Sequence, residues 1–499
     1  IGFASAVAVY TQVGKTFMPQ MDEGNLILQI EKDPAINLDQ TVRMDLRIQE
    51  RLLARVPEIE RLVARVGSDE LGLDPMSLND TDTFMVLKPK SQWRMDSKEA
   101  LIQAIREVMQ ADFPGMNFAF TQPIQMRVDE MLTGARGDIA IKIFGEEPDR
   151  LNALANDLVT EVETLPGAVD VYTPKNSGSR YLQLQVNHIQ AAKLGLNVTE
   201  VEDLLRTQID GMPVGTIYQG IRRIPILLRG AETSKASILQ MLQQPMTVTG
   251  GDTVLLSQLV DARETTGPVA INREQGKRYA TVIANVQGRD LVGFVDEAKQ
   301  AAQSLQMPTG YYFEWGGQFE NQQRAAKKLS IVVPIALVLI FIILFSTFRS
   351  VSQAIMVLVN IPFALIGGIW ALWLTGEHLS VPASVGFIAL LGIAVLNGVV
   401  MMTYFNQLMH QGLSMTEVVM QGAMRRLRPV LMTASIAALG LVPLVFASGA
   451  GSEIQRPLAI VVIGGLVTST LLTLLILPII YRRFGAWSLG RTDRASTAE

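Results

Sequence analysis

Five long apolar stretches close the chain and fix most of what it can become. A helix needs about 20 consecutive apolar residues to cross a bilayer. Leu329–Phe348, Gln353–Thr375, Leu379–Gln407, Pro429–Ala447 and Pro457–Tyr481 meet that requirement, and none contains Asp, Glu, Lys or Arg. Backbone polar groups in lipid must be satisfied within their own segment, so these stretches are expected to be helices. The loops set their direction. Arg349, then Arg425, Arg426 and Arg428, then Arg482, Arg483, Arg491 and Arg494 fall on one side, and the opposite short loops hold only Arg456. Positive loops stay inside, so the Arg-rich side and the tail 484–499 are expected to be cytoplasmic, with everything before Lys328 outside. Ile1–Tyr10 is apolar but too short to span; residues 1–16 read as the outer end of a truncated transmembrane helix.

Charged residues are spread over positions 20–328 and then nearly vanish from long stretches. The net charge of −4 leaves no basic excess to neutralise phosphates, which argues against a nucleic-acid partner. The chain has no cysteine, which excludes disulfides and zinc–thiolate sites. His188, His378 and His410 lie too far apart in sequence to form a helical metal-binding pair. With no nucleophile motif and no phosphate loop either, an enzyme is the least favoured class.

The outer part alternates between periods of two and 3.6. Asn25–Glu31 predicts a strand, and Gln40–Val56 a helix with Val42, Leu46, Leu53 and Val56 on its inner stripe. Strands Ile59–Val66 and Asp82–Leu87, helix Ser97–Met109 and strand Met116–Phe120 complete a βαββαβ unit. The pattern restarts with strand Ile139–Phe144, helix Asp149–Leu165 and strand Val169–Tyr172. It finishes after an insertion, with strand Tyr279–Val286, helix Leu291–Leu305 and strand Tyr311–Glu314. The insertion has strands at Tyr181–Val186 and Ile224–Leu228 and a helix near Val198–Thr207.

This layout resembles the resistance-nodulation-division efflux pumps, in their carboxy-terminal half and their heavy-metal branch. The supporting motifs are Phe17-Met18-Pro19-Gln20-Met21-Asp22-Glu23-Gly24, Leu71-Gly72-Leu73-Asp74-Pro75-Met76, Leu87-Lys88-Pro89 with Trp93, and Gly317-Gln318-Phe319-Glu320. Around the fourth span, Arg426-Leu427-Arg428-Pro429 through Thr433 and Gly449-Ala450-Gly451-Ser452-Glu453 agree as well. The resemblance implies α+β periplasmic domains: two ferredoxin-like porter subdomains with an inserted docking domain, followed by an all-α transmembrane bundle. The first porter would occupy 17–131, the second 132–177 and 266–320, the docking domain 178–265, and the five spans 329–483.

The same resemblance implies a homotrimer in the inner membrane of a Gram-negative bacterium. The trimer would work with a periplasmic adaptor and an outer-membrane channel and be driven by the proton gradient. No permanently bound cofactor is expected, since the metal ion is cargo. Proton-driven transporters keep ionisable groups inside the membrane. The five spans have none, so the relay acid is expected outside this chain, which alone should not pump. Asn397, Thr433 and Ser435 remain as intramembrane polar groups that support proton coupling or bond helix to helix.

Copper and silver pumps of this branch resemble one another in three porter methionines. Local motifs place those positions at Gln29, Asp80 and Glu130, none of them methionine. Thioethers select Cu(I), whereas oxygen donors suit harder divalent ions, so the cargo is expected to be of the Zn(II), Co(II), Cd(II) or Ni(II) type. Asp80 and Asp82 are two apart at a strand and would share a face. Asp129 and Glu130 add carboxylates near the loop joining the porters, and Asp22 and Glu23 are candidates for the first ligands an incoming cation meets. Leu396 stands where copper-type relatives carry an acid, and Met401 and Met402 read as packing residues rather than a copper relay. The competing readings are a Cu(I)/Ag(I) pump, a drug or lipid exporter and a metal-binding membrane module without transport. A drug site would call for more aromatic residues than 6%.

Overall fold

Leu26, Leu28 and Ile30 alternate with Ile27, Gln29 and Glu31 along β1 (Leu26–Glu31), which sends the first set to one face of a sheet and the second to the other. The computed structural model describes residues 2–19, 21–68, 76–133, 137–230, 238–247, 251, 253–447, 449 and 451–489. It omits the side chains of 130–133, 238, 239 and 485–489. The motif stretch 71–75, Ala450 and the tail from 490 on therefore lie outside the described residues, as does Gln20.

A short helix, α1 (Gly2–Tyr10), precedes the first sheet. After β1 come α2 (Leu38–Arg55), β2 (Ile59–Val66), β3 (Asp80–Leu87), α3 (Lys98–Asp112) and β4 (Asn117–Thr121). The antiparallel sheet runs in the order β2-β3-β1-β4, the ferredoxin-like arrangement expected of a βαββαβ unit. Leu26, Leu28, Ile30, Met85 and Leu87 pack on Ile48 and Leu52 of α2 and on Leu101, Ile105 and Met109 of α3. Asn37 and Ser97 cap these helices by accepting the N–H of Gln40 and of Ala100.

The inner stripe of α2 differs from the expectation. Val42, Leu46 and Leu53 are exposed, and the buried positions are Thr41, Asp45, Ile48 and Leu52. Two of these are polar, so an apolar count missed the face. Their burial is made possible by partners. Lys32 forms an ion pair of 2.8 Å with Asp45 and donates to Thr81 Oγ1 at 2.7 Å, and Thr81 donates to Asp45 at 2.8 Å.

The sequence reading assigned no element to 123–133, where the structure has a helix, α4 (Pro123–Thr133), whose last turns carry Asp129 and Glu130 just before the join to the second porter. Proline suits the first helical position, and Glu23 accepts the N–H groups of Ile124 at 2.6 Å and Gln125 at 2.9 Å. That cap comes from far upstream, so nothing local announced the helix.

The second porter repeats the plan with β5 (Ile139–Phe144), α5 (Pro148–Glu163) and β6 (Ala168–Tyr172). Before its second half, the segment Lys175–Ala270 folds as a separate compact unit. It contains β7 (Ser179–Val186), α6 (His188–Lys193), α7 (Val198–Ile209), β8 (Met212–Gln219), β9 (Arg222–Leu228), α8 (Ile238–Leu242), β10 (Pro245–Thr247), β11 (Thr253–Leu255) and β12 (Val260–Gly267). Within it β7 pairs with β12, β10 with β11, and β8 with β9 as an exposed hairpin. Val186, Val201, Leu205 and Leu259 centre its core.

The second porter then resumes with β13 (Arg273–Glu274), β14 (Lys277–Val286), α9 (Leu291–Ala302) and β15 (Tyr312–Gly317). β6-β14-β5-β15 is the same strand order as in the first porter. Leu151, Leu154, Leu158 and Val162 of α5 pack with Phe294 and Val295 of α9 against Ile139, Ile141 and Ile143.

Five helices are long and apolar enough to cross a membrane. They are α10 (Gln318–Phe348), the consecutive pair α11 (Val351–Leu358) and α12 (Asn360–Thr375), α13 (Val381–His410), α14 (Met415–Phe446) and α15 (Ser452–Leu489). The pair forms one span, Val351–Thr375, through Val359, which keeps a helical φ of −60° and ψ of −17°. Pro362 has no N–H to offer the Leu358 carbonyl at this point of the span. On the outer side, residues 14–17 run beside 379–381: Leu379 donates to Gly14 O at 2.8 Å and Val381 to Phe17 O at 3.1 Å.

Candidate functional site

Asp80 and Asp82 both project from the face of the first sheet opposite α2 and α3, as their spacing predicts. The register sets Asp82 across from Gln29 on β1 and from Arg65 on β2, and sets Gln29 across from Ala119 on β4. Asp82 has no exposed surface. Arg65 Nη2 donates to its Oδ2 at 2.7 Å, and Gln29 Nε2 donates to its Oδ1 at 3.4 Å. Burying a carboxylate is costly without a partner, and the Arg65 guanidinium pairs with it.

α4 brings Met126 and Asp129, both buried, to this face. With Gln29, Thr121, Gln125 and Asn285 they line a small cavity. Gln29 is therefore shared. It is bonded to Asp82 on the sheet and stands in the cavity wall with Asp129. Asp80 lies one pair further along, opposite Glu31, and is half-buried. Its Oδ2 accepts the Ser77 N–H at 3.2 Å, which closes the turn leading into β3. The backbone of Glu130 follows Asp129 on α4, and its side chain lies outside the described residues. Among the described residues, no three Asp, Glu or His side chains converge tightly enough to hold a metal ion. The structure thus joins Gln29 to Asp82 by a hydrogen bond and sets it beside Asp129 in the cavity wall, while Asp80 is paired with the turn before β3.

Asp22 and Glu23 are engaged elsewhere. Lys98 and Lys90 both donate to Asp22, Lys98 at 2.8 Å, and the Gly24 N–H adds a third bond at 3.0 Å. Burial opposes ionisation of Asp22, but these donors outweigh it and hold the carboxyl well below the usual carboxylate range. Glu23 caps α4. Both residues thus anchor the segment that enters the first sheet.

A cleft of about 650 Å³ separates the two porters above the membrane, with Asp22, Lys98, Arg106, Asp170, Arg289 and His378 among its walls. Arg106 forms an ion pair with Asp170 across it. Sequence reasoning missed Arg65 and this cross-cleft pair. Alternation puts Arg61, Val63 and Arg65 on one face of β2, but which of them meets Asp82 depends on the strand register.

In the membrane part, Asn397 is buried on α13, and Thr433 of α14 donates to its Oδ1 at 3.4 Å. Ser435 is exposed on α14, as is Leu396 on α13. Met401 and Met402 are fully buried among Val357, Phe405 and Leu477, which agrees with a packing role.

Two α+β units, an inserted unit and five helices long and apolar enough to cross a membrane define a multi-span membrane protein with a large soluble part. The family described as AcrB/AcrD/AcrF matches residues 1–485, and the chain belongs to it. It lies in the heavy-metal branch of the resistance-nodulation-division pumps, which are inner-membrane transporters and not enzymes. It is 41% identical over 490 residues to the cation efflux system protein CzcA of Alcaligenes sp. strain CT14, covering 97% of this chain and 46% of that protein. It is 42% identical over 483 residues to the nickel and cobalt resistance protein CnrA of Cupriavidus metallidurans, covering 95% of this chain and 45% of that one. A crystal structure of a heavy metal efflux pump matches with a TM-score of 0.82 at 36% identity, over 97% of this chain and 50% of that chain. The chain thus spans about half the length of the curated relatives it matches.

Proposed function

We propose that this chain forms the porter and membrane portion of a pump that exports divalent heavy-metal cations of the Zn(II), Co(II), Cd(II) and Ni(II) type. The observation that carries the reading is Gln29, which bonds Asp82 across the first porter sheet and shares the wall of a small cavity with Asp129 of α4. These are oxygen donors in a chain without a thiolate, a set that suits hard or borderline divalent ions better than Cu(I). The names of the relatives, cation efflux and nickel and cobalt resistance, point the same way. The cation is cargo, and the energy comes from proton entry through the membrane domain, with Asn397, Thr433 and Ser435 as polar support. A homotrimer, a periplasmic adaptor and an outer-membrane channel complete the working pump.

The test is calorimetric titration of the full chain in detergent with Zn(II), Co(II), Ni(II), Cd(II) and protected Cu(I). Saturable divalent binding is expected, weakened about tenfold or more by Asp82→Asn and by Asp129→Asn, since each removes a charged ligand. Tight Cu(I) binding indifferent to both substitutions would sink the reading.

A further inference from the structure

We infer that Asn285 is a positioning residue that couples the root of α10, the first helix able to cross the membrane, to the spacing of the two porters. Its side-chain amide holds both Asp138, which is bonded to Gln318 of α10, and Asp170, which is bonded to Arg106 of the first porter. This coupling does not depend on which ion the small cavity takes.

The alternation of β14 aims this residue. Val282 and Ala284 lie in the core against α5 and α9, so Asn285 faces the other way. There it lines both the wide cleft and the small cavity that Gln29 and Asp129 share. On the neighbouring strand, the pairing of β6 with β14 slips by one between Ile283 and Asn285, which leaves an extra residue in β6 next to Asp170. A bulge of this kind turns a side chain off its regular row. Asp170 Oδ2 accepts Asn285 Nδ2–H at 3.3 Å, and its Oδ1 receives Arg106.

The other end of the amide leads to the membrane. Asn285 Oδ1 accepts the Asp138 N–H at 3.1 Å. The two partners fix the sense of the amide, since a backbone N–H needs its oxygen and a carboxylate its nitrogen. Asp138 is buried just before β5. Its Oδ1 accepts Gln318 Nε2–H at 3.0 Å, and its carbonyl accepts the Gln318 backbone N–H at 2.9 Å. Gln318 is the first residue of α10. Gly317 before it leaves no slack, because a Cβ there would stand 2.5 Å from the Asp138 carbonyl oxygen. The path from α10 to the first porter is thus a continuous series of bonded neighbours. An amide cannot swing toward one partner without leaving the other. A tilt of α10 that draws on Asp138 therefore pulls Asn285 from Asp170, and release of Arg106 loosens the hold on Asp138. Side chains that only closed loop ends would leave the two ends of this path independent.

The experiment uses the full chain in detergent. Spin labels at Gln103→Cys on α3 and Gln300→Cys on α9 read the cleft, and hydrogen exchange of residues 315–322 reads the root of α10. Asn285→Asp keeps an acceptor for the Asp138 N–H and replaces the donor to Asp170 with a like charge. It is expected to lengthen the cleft distance as far as Arg106→Ala does, and the double variant no further, because both break one path. Gln318→Met, at the membrane end, should shift the cleft distance in the same direction by less. Coupling is reciprocal, so Arg106→Ala should speed exchange at the root of α10 about fivefold, the low end for linked sites. Glu99→Gln, which removes a charge from the cleft wall outside the path, should leave both readings at wild type. A cleft distance that ignores Asn285→Asp, or exchange at the root of α10 that ignores Arg106→Ala, overturns the coupling. A shift by Glu99→Gln as large as that by Asn285→Asp overturns it too, since the cleft would then answer to any change in its wall. If Asn285→Asp does not fold, Gln318→Met and the exchange reading decide in its place.

Discussion

Glu58 sits where α2 turns into β2, and Arg94 wraps it with Nε at 2.7 Å, Nη2 at 3.0 Å and its backbone N–H at 3.1 Å. These hydrogen bonds outweigh the effect of burial and hold the carboxyl at about 2, against its ordinary 4.5. A carboxyl whose folded value is lowered stabilises the fold fully above its unfolded value, and loses that contribution as pH falls toward the folded one. The melting temperature of wild type should therefore exceed that of Glu58→Gln at neutral pH. The gap should close as pH is lowered from 4.5 toward about 2. A gap that stays constant from pH 7 to pH 3 would show that the pair contributes through packing and not through charge. The same reasoning separates Asp22 from the cation site. A carboxylate already held by two lysines is a strut, and a cation would have to displace both to use it.

At the scale of elements, close approach of helices decides how the membrane part packs. Where α12 crosses α15, a Cβ on Gly464 would lie 2.4 Å from the Ala371 Cβ, and one on Gly367 would lie 2.3 Å from the Gly464 carbonyl. Thr468 donates to Phe363 O at 3.0 Å in the same crossing. In lipid, where apolar side chains gain little by leaving their solvent, such small-residue contacts carry association. Gly464→Leu should destabilise the bundle by about 3 kcal/mol, the upper range for overpacking. Gly440→Leu, with nothing within 4 Å of its Cβ, should change it little. Unfolding in detergent–denaturant mixtures measures both, and equal losses would refute the crossing. Elements were legible where one side-chain period dominates: β2 and β5 have the predicted limits. They were illegible where a distant group completes them. α4 depends on Glu23, 101 positions before Ile124. The buried face of α2 depends on Lys32 and Thr81, which lie outside the helix. The acids of the site were legible through alternation on β3, but the row that joins Asp82 to Gln29 and Arg65 needed strand register, which sequence spacing does not contain.

For the molecule as a whole, the question is what ties the two porters to each other across the cleft, since the described strands of one sheet pair with none of the other. Asp170, at β6 of the second porter, is one point of attachment among the described residues. It receives Arg106 of α3, the Phe120 N–H of β4 at 3.4 Å and Asn285 Nδ2 of β14 at 3.3 Å. Arg106 in turn lies over the rings of Phe118 and Phe120, at 5.9 and 5.2 Å. Asp170 holds a left-handed φ of 51°, a region that aspartate adopts more readily than most residues other than glycine. An ion pair flanked by aromatic rings therefore ties the two porters across the cleft. A movement that widens the cleft at this point has to break it. Arg106→Ala should release the tie without unfolding either sheet, because neither core includes it. The chain has no native cysteine to interfere, so spin labels at Gln103→Cys on α3 and Gln300→Cys on α9, both exposed, report the cleft directly. Wild type should give one narrow distance distribution, and Arg106→Ala a broader one shifted to longer distances. Arg106→Lys should fall between them, since it keeps the charge but loses the planar stack on the rings. If all three distributions coincide, the tie is elsewhere.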